Sequence, residues 1–209
     1  PVSIVGLGAY TSIITNNGLT INDYEIGITT GNAYTTALTV LGILEGVEMQ
    51  GITLSTSEAS VVGAGGNIGQ VVAQLLSLRI GNLNLVGSGR KLSAKRLLAA
   101  KKSCLIEIFK HIRKEQADGC KPNNSVMGIL GKEVFATLDS EGEYAALLTK
   151  AFLLDCNGAD SLSIAAALDK AFEFEMSGFG TGRISVSEAI ESIVDSDIVV
   201  LATNSHDEN

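Results

Sequence analysis

The sequence predicts an α/β fold in which a parallel sheet is covered by helices and interrupted by a long, mostly helical insertion. Three observations carry that expectation. Residues 54–86 read as strand, glycine turn, helix and strand within about 30 residues, the length of a βαβ unit. Near the other end, the turn Asp195-Ser196-Asp197 runs into the apolar strand Ile198–Leu201 and then into the small polar loop Ala202-Thr203-Asn204-Ser205. The composition is 45% hydrophobic but only 5% aromatic, with 23 Gly and no Trp, as close packing of helices on a sheet requires. Together these predict a Rossmann-like three-layer sheet, with strands at 2–5, 60–62, 83–86 and 198–201 and helices on both faces.

Residues 2–5 form the first short strand, followed by Gly6-Leu7-Gly8-Ala9-Tyr10-Thr11-Ser12-Ile13-Ile14. That loop is rich in small and hydroxyl residues at the carboxyl end of a strand, where open α/β sheets place ligands. Asn16-Asn17-Gly18 is a turn, and 26–29 is a second extended piece. Thr30-Gly31-Asn32 then leads into a helix with Ala33, Ala37, Val40, Leu41, Leu44 and Val47 on one face. Thr30 or Asn32 caps it, and chemistry alone favours capping over catalysis for Thr29, Thr30 and Asn32.

The strand that starts near Leu54 empties into Gly63-Ala64-Gly65-Gly66-Asn67-Ile68-Gly69. Gly63 permits a tight exit, Gly65 or Gly66 lets backbone N–H groups approach phosphate oxygens, and Gly69 lets the helix pack closely on the sheet. The spacing is Gly-x-x-Gly-x-x-Gly through Gly66; counted as Gly-x-Gly-x-x-Gly from Gly63, the third position is Ile68. Past the turn, Ile68, Val71, Val72, Leu75 and Leu76 make an apolar stripe on a helix that Arg79 and Gly81 close. Such a helix start holds the pyrophosphate of a dinucleotide. Gly63, Gly65, Gly66, Asn67, Ile68 and Gly69 are therefore the candidate cofactor residues, set against the plain alternative of a turn with no ligand.

The end of the second strand selects the cofactor. NAD-selective sites place an acid there for the ribose 2′-hydroxyl, whereas this chain has Val86-Gly87-Ser88-Gly89-Arg90-Lys91 and no acid between Glu58 and Glu107. Ser88 can donate a hydrogen bond and Arg90 a charge-assisted bidentate contact, so NADP(H) is expected, with Arg90 the principal determinant. The alternative is that Arg90 and Lys91 only begin a solvated basic helix.

The phrases Gly-Ala-Tyr-Thr-Ser-Ile-Ile at 8–14 and Thr-Thr-Gly-Asn-Ala-Tyr-Thr-Thr at 29–36 stand at a set distance before the glycine turn. Together with Gly51-Ile52-Thr53-Leu54-Ser55 and the turn itself, the chain resembles the long-chain fatty acyl-[acyl carrier protein] reductases of cyanobacteria. It also resembles the related thioester-reductase domains fused to aminotransferases. The likeness covers residues 3 to about 90 and returns near 183–205. It implies NADPH-dependent reduction of an acyl thioester, on acyl carrier protein or coenzyme A, to an aldehyde. By the same resemblance Gly63, Gly66 and Gly69 form the cofactor turn, and Ser12, Thr30, Gly31 and Asn32 lie beside the thioester carbonyl and nicotinamide. Hydroxyl and amide donors there would hold a carbonyl oxygen that gains charge during hydride attack. Ala202, Thr203 and Asn204 would flank the cofactor. The chain departs from the family in having a long segment between Lys91 and Arg183, and the nucleophilic cysteine of the family falls beyond Asn209.

That long segment, about 92–182, reads as a mostly helical insertion that projects from the core as a small helical layer or dimerises. It opens with a basic helix from Ser93 carrying Leu98, Leu105, Ile108, Phe109 and Ile112 on one side, broken near 118–124. Helical pieces follow at 126–138, 144–154 and 161–174, and a short capped helix is read at 185–190. The leading α/β segment 1–50 is assigned to the substrate side and 51–209 to the NADP-binding domain.

Nine of the 15 Lys and Arg fall between Arg90 and Lys114, yet the chain carries a net charge of −8, which argues against a nucleic-acid partner. No apolar run reaches the 18 or so residues of a membrane span. Cys104, Cys120 and Cys156 make neither an even disulfide set nor a metal-ligand spacing, and a reduced cytoplasmic setting is the plain reading. Each is read as a buried small hydrophobe rather than a nucleophile. The start at Pro1 without Met or a signal pattern reads as a fragment of a longer polypeptide. Two other functions stay open. One is an oxidoreductase resembling shikimate or amino-acid dehydrogenases, which would want a lysine that the segment before Lys91 lacks; the other is a non-catalytic dinucleotide-binding or carrier-docking module.

Overall fold

The computed structural model of the chain describes residues 3–8, 11, 14–15, 20–21, 25–87, 93–118, 125–138 and 183–202, with backbone alone at 113–118 and 133–138. The chain divides into two compact units, 1–50 and 51–209.

In the first unit, β1 (Ile4–Gly6) and β2 (Gly27–Thr29) pair in parallel as a two-stranded sheet, in the register Ile4↔Gly27 to Gly6↔Thr29. The ladder extends through Gly27 N–H to Ser3 O (2.9 Å) and Leu7 N–H to Thr29 O (2.7 Å). Residues 2–5 were expected in the main sheet; the strand found there pairs with β2 instead. Helix α1 (Asn32–Gln50) follows, and Gly51 beyond it has φ +66°, the left-handed conformation that ends helices. Of the face expected on α1 only Val47 is buried, joined by Thr36, while Leu41 is exposed.

The second unit is built on a four-stranded parallel sheet. Its strands are β3 (Glu58–Val62), β4 (Asn82–Val86), β5 (Ile184–Ser187) and β6 (Ile198–Leu201), in the order β5-β4-β3-β6. Helix α2 (Asn67–Ser77) joins β3 to β4; α3 (Ser93–Asp118) and α4 (Val126–Leu138) lie in the connection from β4 to β5. The chain thus steps outward from β3 to β4 to β5 and returns to the far side of β3. This is the order of the third, second, first and fourth strands of a doubly wound sheet, and it is compatible with a Rossmann-like fold.

Right-handed crossovers taken in one direction put α2 and α3 on one face, and the reversal puts the return connection on the other. The burial follows that rule. Ala59, Val61, Leu83, Leu85 and Ile184 are fully buried at alternate sheet positions, with Val72, Ala73 and Leu76 of α2 and Leu97, Ala100, Cys104 and Ile108 of α3 buried as well. Gln70 Nε2 donates to Ser103 Oγ (2.8 Å), tying α2 to α3. Ser125 caps α4 by accepting the N–H of Gly128 (3.1 Å), and Val126 N–H reaches Ile80 O (2.7 Å) just before β4.

Several expectations are corrected by this packing. Residues 54–56 are a 3-10 turn, and the strand begins at Glu58. The stripe on α2 is rotated: Gly69, Val72, Ala73 and Leu76 are buried, whereas Val71 and Leu75 point to solvent. On α3 the buried residue is Leu97, and Leu98 is 52% exposed. Because that helix packs on α2 and on the sheet, it belongs to the core instead of projecting from it. The expected capped helix at 185–190 is strand β5 followed by a 3-10 turn at Ile190–Ile193. Its alternating Ile184-Ser185-Val186-Ser187 fits a pleated strand beside β4. Among the described residues, this turn is the helical piece that meets the second face, so a full helical layer there is not seen. The pieces expected at 144–154 and 161–174 lie outside the described residues.

Candidate functional site

All four strands of the main sheet are parallel, so their carboxyl ends share one edge. The change of direction in strand order falls between β3 and β6, and crevices at such points receive ligands in open α/β sheets. The glycine turn leaves β3 there. Gly63 N–H donates to Val86 O (2.8 Å) and Ala202 N–H to Val62 O (2.9 Å), so the ladder continues past the strands and holds Ala202 against the root of the turn.

Gly63 has φ +80°, which a residue with a Cβ adopts only at a cost. Its carbonyl accepts the N–H of Gly66 (2.9 Å), closing the turn, and the helix ladder opens with Gln70 N–H on Gly66 O (2.9 Å). Gly66 is the N-cap and offers no side chain to the first N–H groups. The N–H groups of Asn67, Ile68 and Gly69 therefore point out of the helix start without an intrahelical acceptor. Gly69 sits where a Cβ would collide with the Gly63 carbonyl oxygen and lie 2.9 Å from its carbon and 3.1 Å from Ala64 Cα. The first turn of α2 is thus pressed onto the exit of β3, and only a glycine leaves room for it. Ala64 is fully buried, Gly66 and Asn67 are exposed, and Gly63, Gly65 and Ile68 are half-buried. A rigid, open row of backbone donors at the positive end of a helix can hold a phosphate diester or pyrophosphate.

The structure gathers Gly63, Gly65, Gly66, Asn67, Ile68, Gly69 and Ala202 at this edge. Thr30, Gly31 and Asn32 belong to the first unit, where they start α1. Thr29 Oγ1 accepts Gly31 N–H (3.3 Å), Thr30 Oγ1 accepts Asn32 N–H (3.4 Å), and Gly31 has φ +76°. These are local turns that lead into the helix; Thr35 N–H on Gly31 O (2.9 Å) makes Gly31 the N-cap in place of the expected Thr30 or Asn32. Ser12, Ser88, Arg90, Thr203 and Asn204 lie outside the described residues, as do Cys120 and Cys156.

Cys104 is fully buried between α3 and the core, and burial pushes its thiol up to about 12. It remains a protonated thiol with no access to a substrate, so it does not take an acyl group.

Behind the sheet lies a polar row that sequence reading missed. Ser60 and Asn84 are register partners on β3 and β4, and Asn84 pairs in turn with Ser185 on β5. Asn84 Nδ2 donates to Ser60 Oγ (3.0 Å) and to the carbonyl and hydroxyl oxygens of Ser192 (both 3.1 Å), while its Oδ1 accepts Ser185 Oγ–H (3.0 Å). Ser60 Oγ meets Ser196 Oγ at 2.7 Å. The signal for it was the polar residue at alternate positions of Asn82-Leu83-Asn84-Leu85.

Among the described residues no group of His, Cys, Asp and Glu is placed to hold a metal ion, and no helix is long and apolar enough to cross a membrane. No protein-family model matches the chain, and no curated protein matches it in sequence.

Proposed function

We propose that this chain binds NADP(H) at the Gly63–Gly69 turn and serves an enzyme that reduces a fatty acyl thioester, carried on acyl carrier protein or coenzyme A, to an aldehyde. Cofactor binding rests on one observation: the start of α2 is pressed onto the Gly63 backbone at the point where strand order reverses, leaving N–H groups without an intrahelical acceptor at the carboxyl edge of the sheet. The backbone of Gly65 and Gly66 and the N–H groups of Asn67, Ile68 and Gly69 would hold the pyrophosphate, with Ala202 lining the other side. When bound, the cofactor supplies one hydride to a carbonyl carbon. With one proton this converts a thioester into an aldehyde and a free thiol. The thioester as substrate, and Ser12, Thr30, Gly31 and Asn32 as its neighbours, rest on the resemblance of the motifs at 8–14, 29–36 and 51–69.

A second reading, a dinucleotide-binding module without chemistry of its own, is favoured by one finding: Cys104, the described cysteine, is sealed in the core. Titration with NADPH followed by incubation with a long-chain acyl-CoA separates the two. Binding with formation of fatty aldehyde and free coenzyme A supports the reductase, and binding without aldehyde by a polypeptide that includes the cysteine expected beyond Asn209 supports the module. Failure to bind either NADPH or NADH removes both.

A further inference from the structure

Helix α1 turns a face of large apolar side chains to solvent. Tyr34 (70%), Leu38 (50%), Leu41 (61%) and Met49 (76%) are all exposed, while Thr36 and Val47 on the other side are buried. Thr35, Leu38, Gly42, Glu45 and Met49 follow one another at steps of three and four residues and are exposed throughout, so they form one ridge along the outside of the helix. Tyr34 and Leu41 flank it. Gly42 lies in the middle of the ridge and Gly46 beside it, and among the described residues a Cβ on either would meet nothing within 4 Å. A glycine in a helix interior costs about 1 kcal/mol relative to alanine, and no contact among the described residues requires either one. A continuous apolar surface of this kind marks a contact with another molecule.

The charges of the face narrow the choice of that molecule. Glu45 and Glu48 are the only charged residues of α1, and the sequence has no Lys or Arg before Arg79. An anionic lipid surface, which attracts basic amphipathic helices, does not fit. A second copy of the same helix does.

We propose that α1 is the contact between two copies of this chain, paired antiparallel across Gly42. A two-fold axis there sets Leu38 opposite Gly46 of the partner subunit and Met49 opposite Thr35 of the partner subunit, large against small, and the bare Gly42 backbones can approach closely. The two Glu45 residues then stand about 9 Å apart along the helix axis, beyond a Debye length at physiological salt. A parallel pair would set Leu38 on Leu38 and Glu45 on Glu45 at one level, so the face is self-complementary only in the antiparallel sense. Two helices of 19 residues, each about 28 Å long and about 10 Å across, cover less than the ~1,200 Å² of a standard interface, so a dimer that dissociates in the micromolar range is expected. The glycine turn takes no part in this contact, which is independent of the cofactor reading.

The test is sedimentation equilibrium of the full 209-residue chain between about 1 and 200 µM, for wild type, Gly42→Leu, Leu38→Ser and Ala37→Leu, each with a melting curve. Ala37 is exposed but off the ridge, so it takes the same added leucine away from the contact. Wild type and Ala37→Leu are expected to pass from one chain mass to two across the range, and Gly42→Leu and Leu38→Ser to associate at least about tenfold more weakly. At the lowest concentration, where chains are single, Gly42→Leu should melt no lower than wild type, because leucine favours the helix over glycine. A wild type that stays monomeric overturns the proposal, as does a dimer that survives both Gly42→Leu and Leu38→Ser, or one that Ala37→Leu weakens equally.

Discussion

A methyl group added at Gly69 would be driven into the Gly63 carbonyl, a backbone atom that cannot rotate away, so the first turn of α2 would have to lift off β3. Gly63→Ala meets a different obstacle, the φ of +80°. Gly66→Ala meets the mildest one, since Gly66 has φ −91° and its Cβ would stand 3.3 Å from the same oxygen. In urea unfolding, Gly69→Ala is expected to cost about 1–3 kcal/mol and Gly63→Ala about 1–2 kcal/mol, with Gly66→Ala smaller than both. On the proposed function, NADPH binding is expected to be lost in Gly69→Ala; a Gly69→Ala protein as stable as wild type would refute the close approach. Cys104 makes a prediction in pH. Burial raises its thiol from 9.0 to about 12, so at alkaline pH the unfolded chain has released a proton that the folded chain still holds. The stabilisation is full below about pH 9 and is lost as pH rises toward 12. Lys101, whose pKa burial lowers, works in the opposite direction but is common to wild type and variant. Between about pH 8 and 11, wild type should lose stability more steeply than Cys104→Ala, and parallel slopes would show that the thiol is not sealed.

Strand β4 illustrates how one element serves two layers. Leu83 and Leu85 face the helices, and Asn84 faces the return connection, where its amide joins Ser60, Ser185 and Ser192. Since Asn84 donates to Ser60, the Ser60 hydroxyl is left to donate to Ser196, and Ser196 Oγ in turn reaches Glu58 Oε1 at 3.4 Å. None of the four residues of the 3-10 turn at Ile190–Ile193 is buried, so this row of hydrogen bonds supplies its attachment to the sheet. Asn84→Ala leaves the buried Ser60 and the more exposed Ser185 and Ser192 without this partner and is expected to cost about 1–3 kcal/mol. Hydrogen exchange should rise first at residues 190–197 in that variant; exchange that stays at the wild-type rate there would mean that the turn is held by other contacts.

The sheet of the second unit is hydrogen-bonded within residues 58–202 among the described residues, and every described residue of the proposed phosphate cradle lies in that unit. A chain starting at Gly51 is therefore expected to melt cooperatively and to bind NADPH within about threefold of the full chain. Loss of binding in a chain that still melts cooperatively would show that residues 1–50 contribute to the cofactor site. Residues 1–50 alone, whose described residues form a two-stranded sheet with Thr36 and Val47 as the buried side chains, are expected to show no cooperative transition.

Local signals were legible where one physical cause dominates. The βαβ unit, the start of α3 at Ser93, the span of α4 and the strand at 198–201 all follow from periodicity and turn chemistry, which act over a few residues. The roles of Gly63 and Gly69 were legible for the same reason, since a chain leaving a strand and entering a helix at once needs glycine at both ends of the turn. Tertiary structure alone decided the rest. Periodicity fixes which residues share a stripe but not which edge of that stripe meets the sheet, so Val71 and Leu98 turned outward. The four residues of β5 alternate as a strand does, but the free ladder of β4 decided that they pair there. The membership of residues 4–6 in a separate sheet, and the meeting of Arg96 with Gly65 across 31 positions of sequence, depend on pairings between distant segments, which no local pattern encodes.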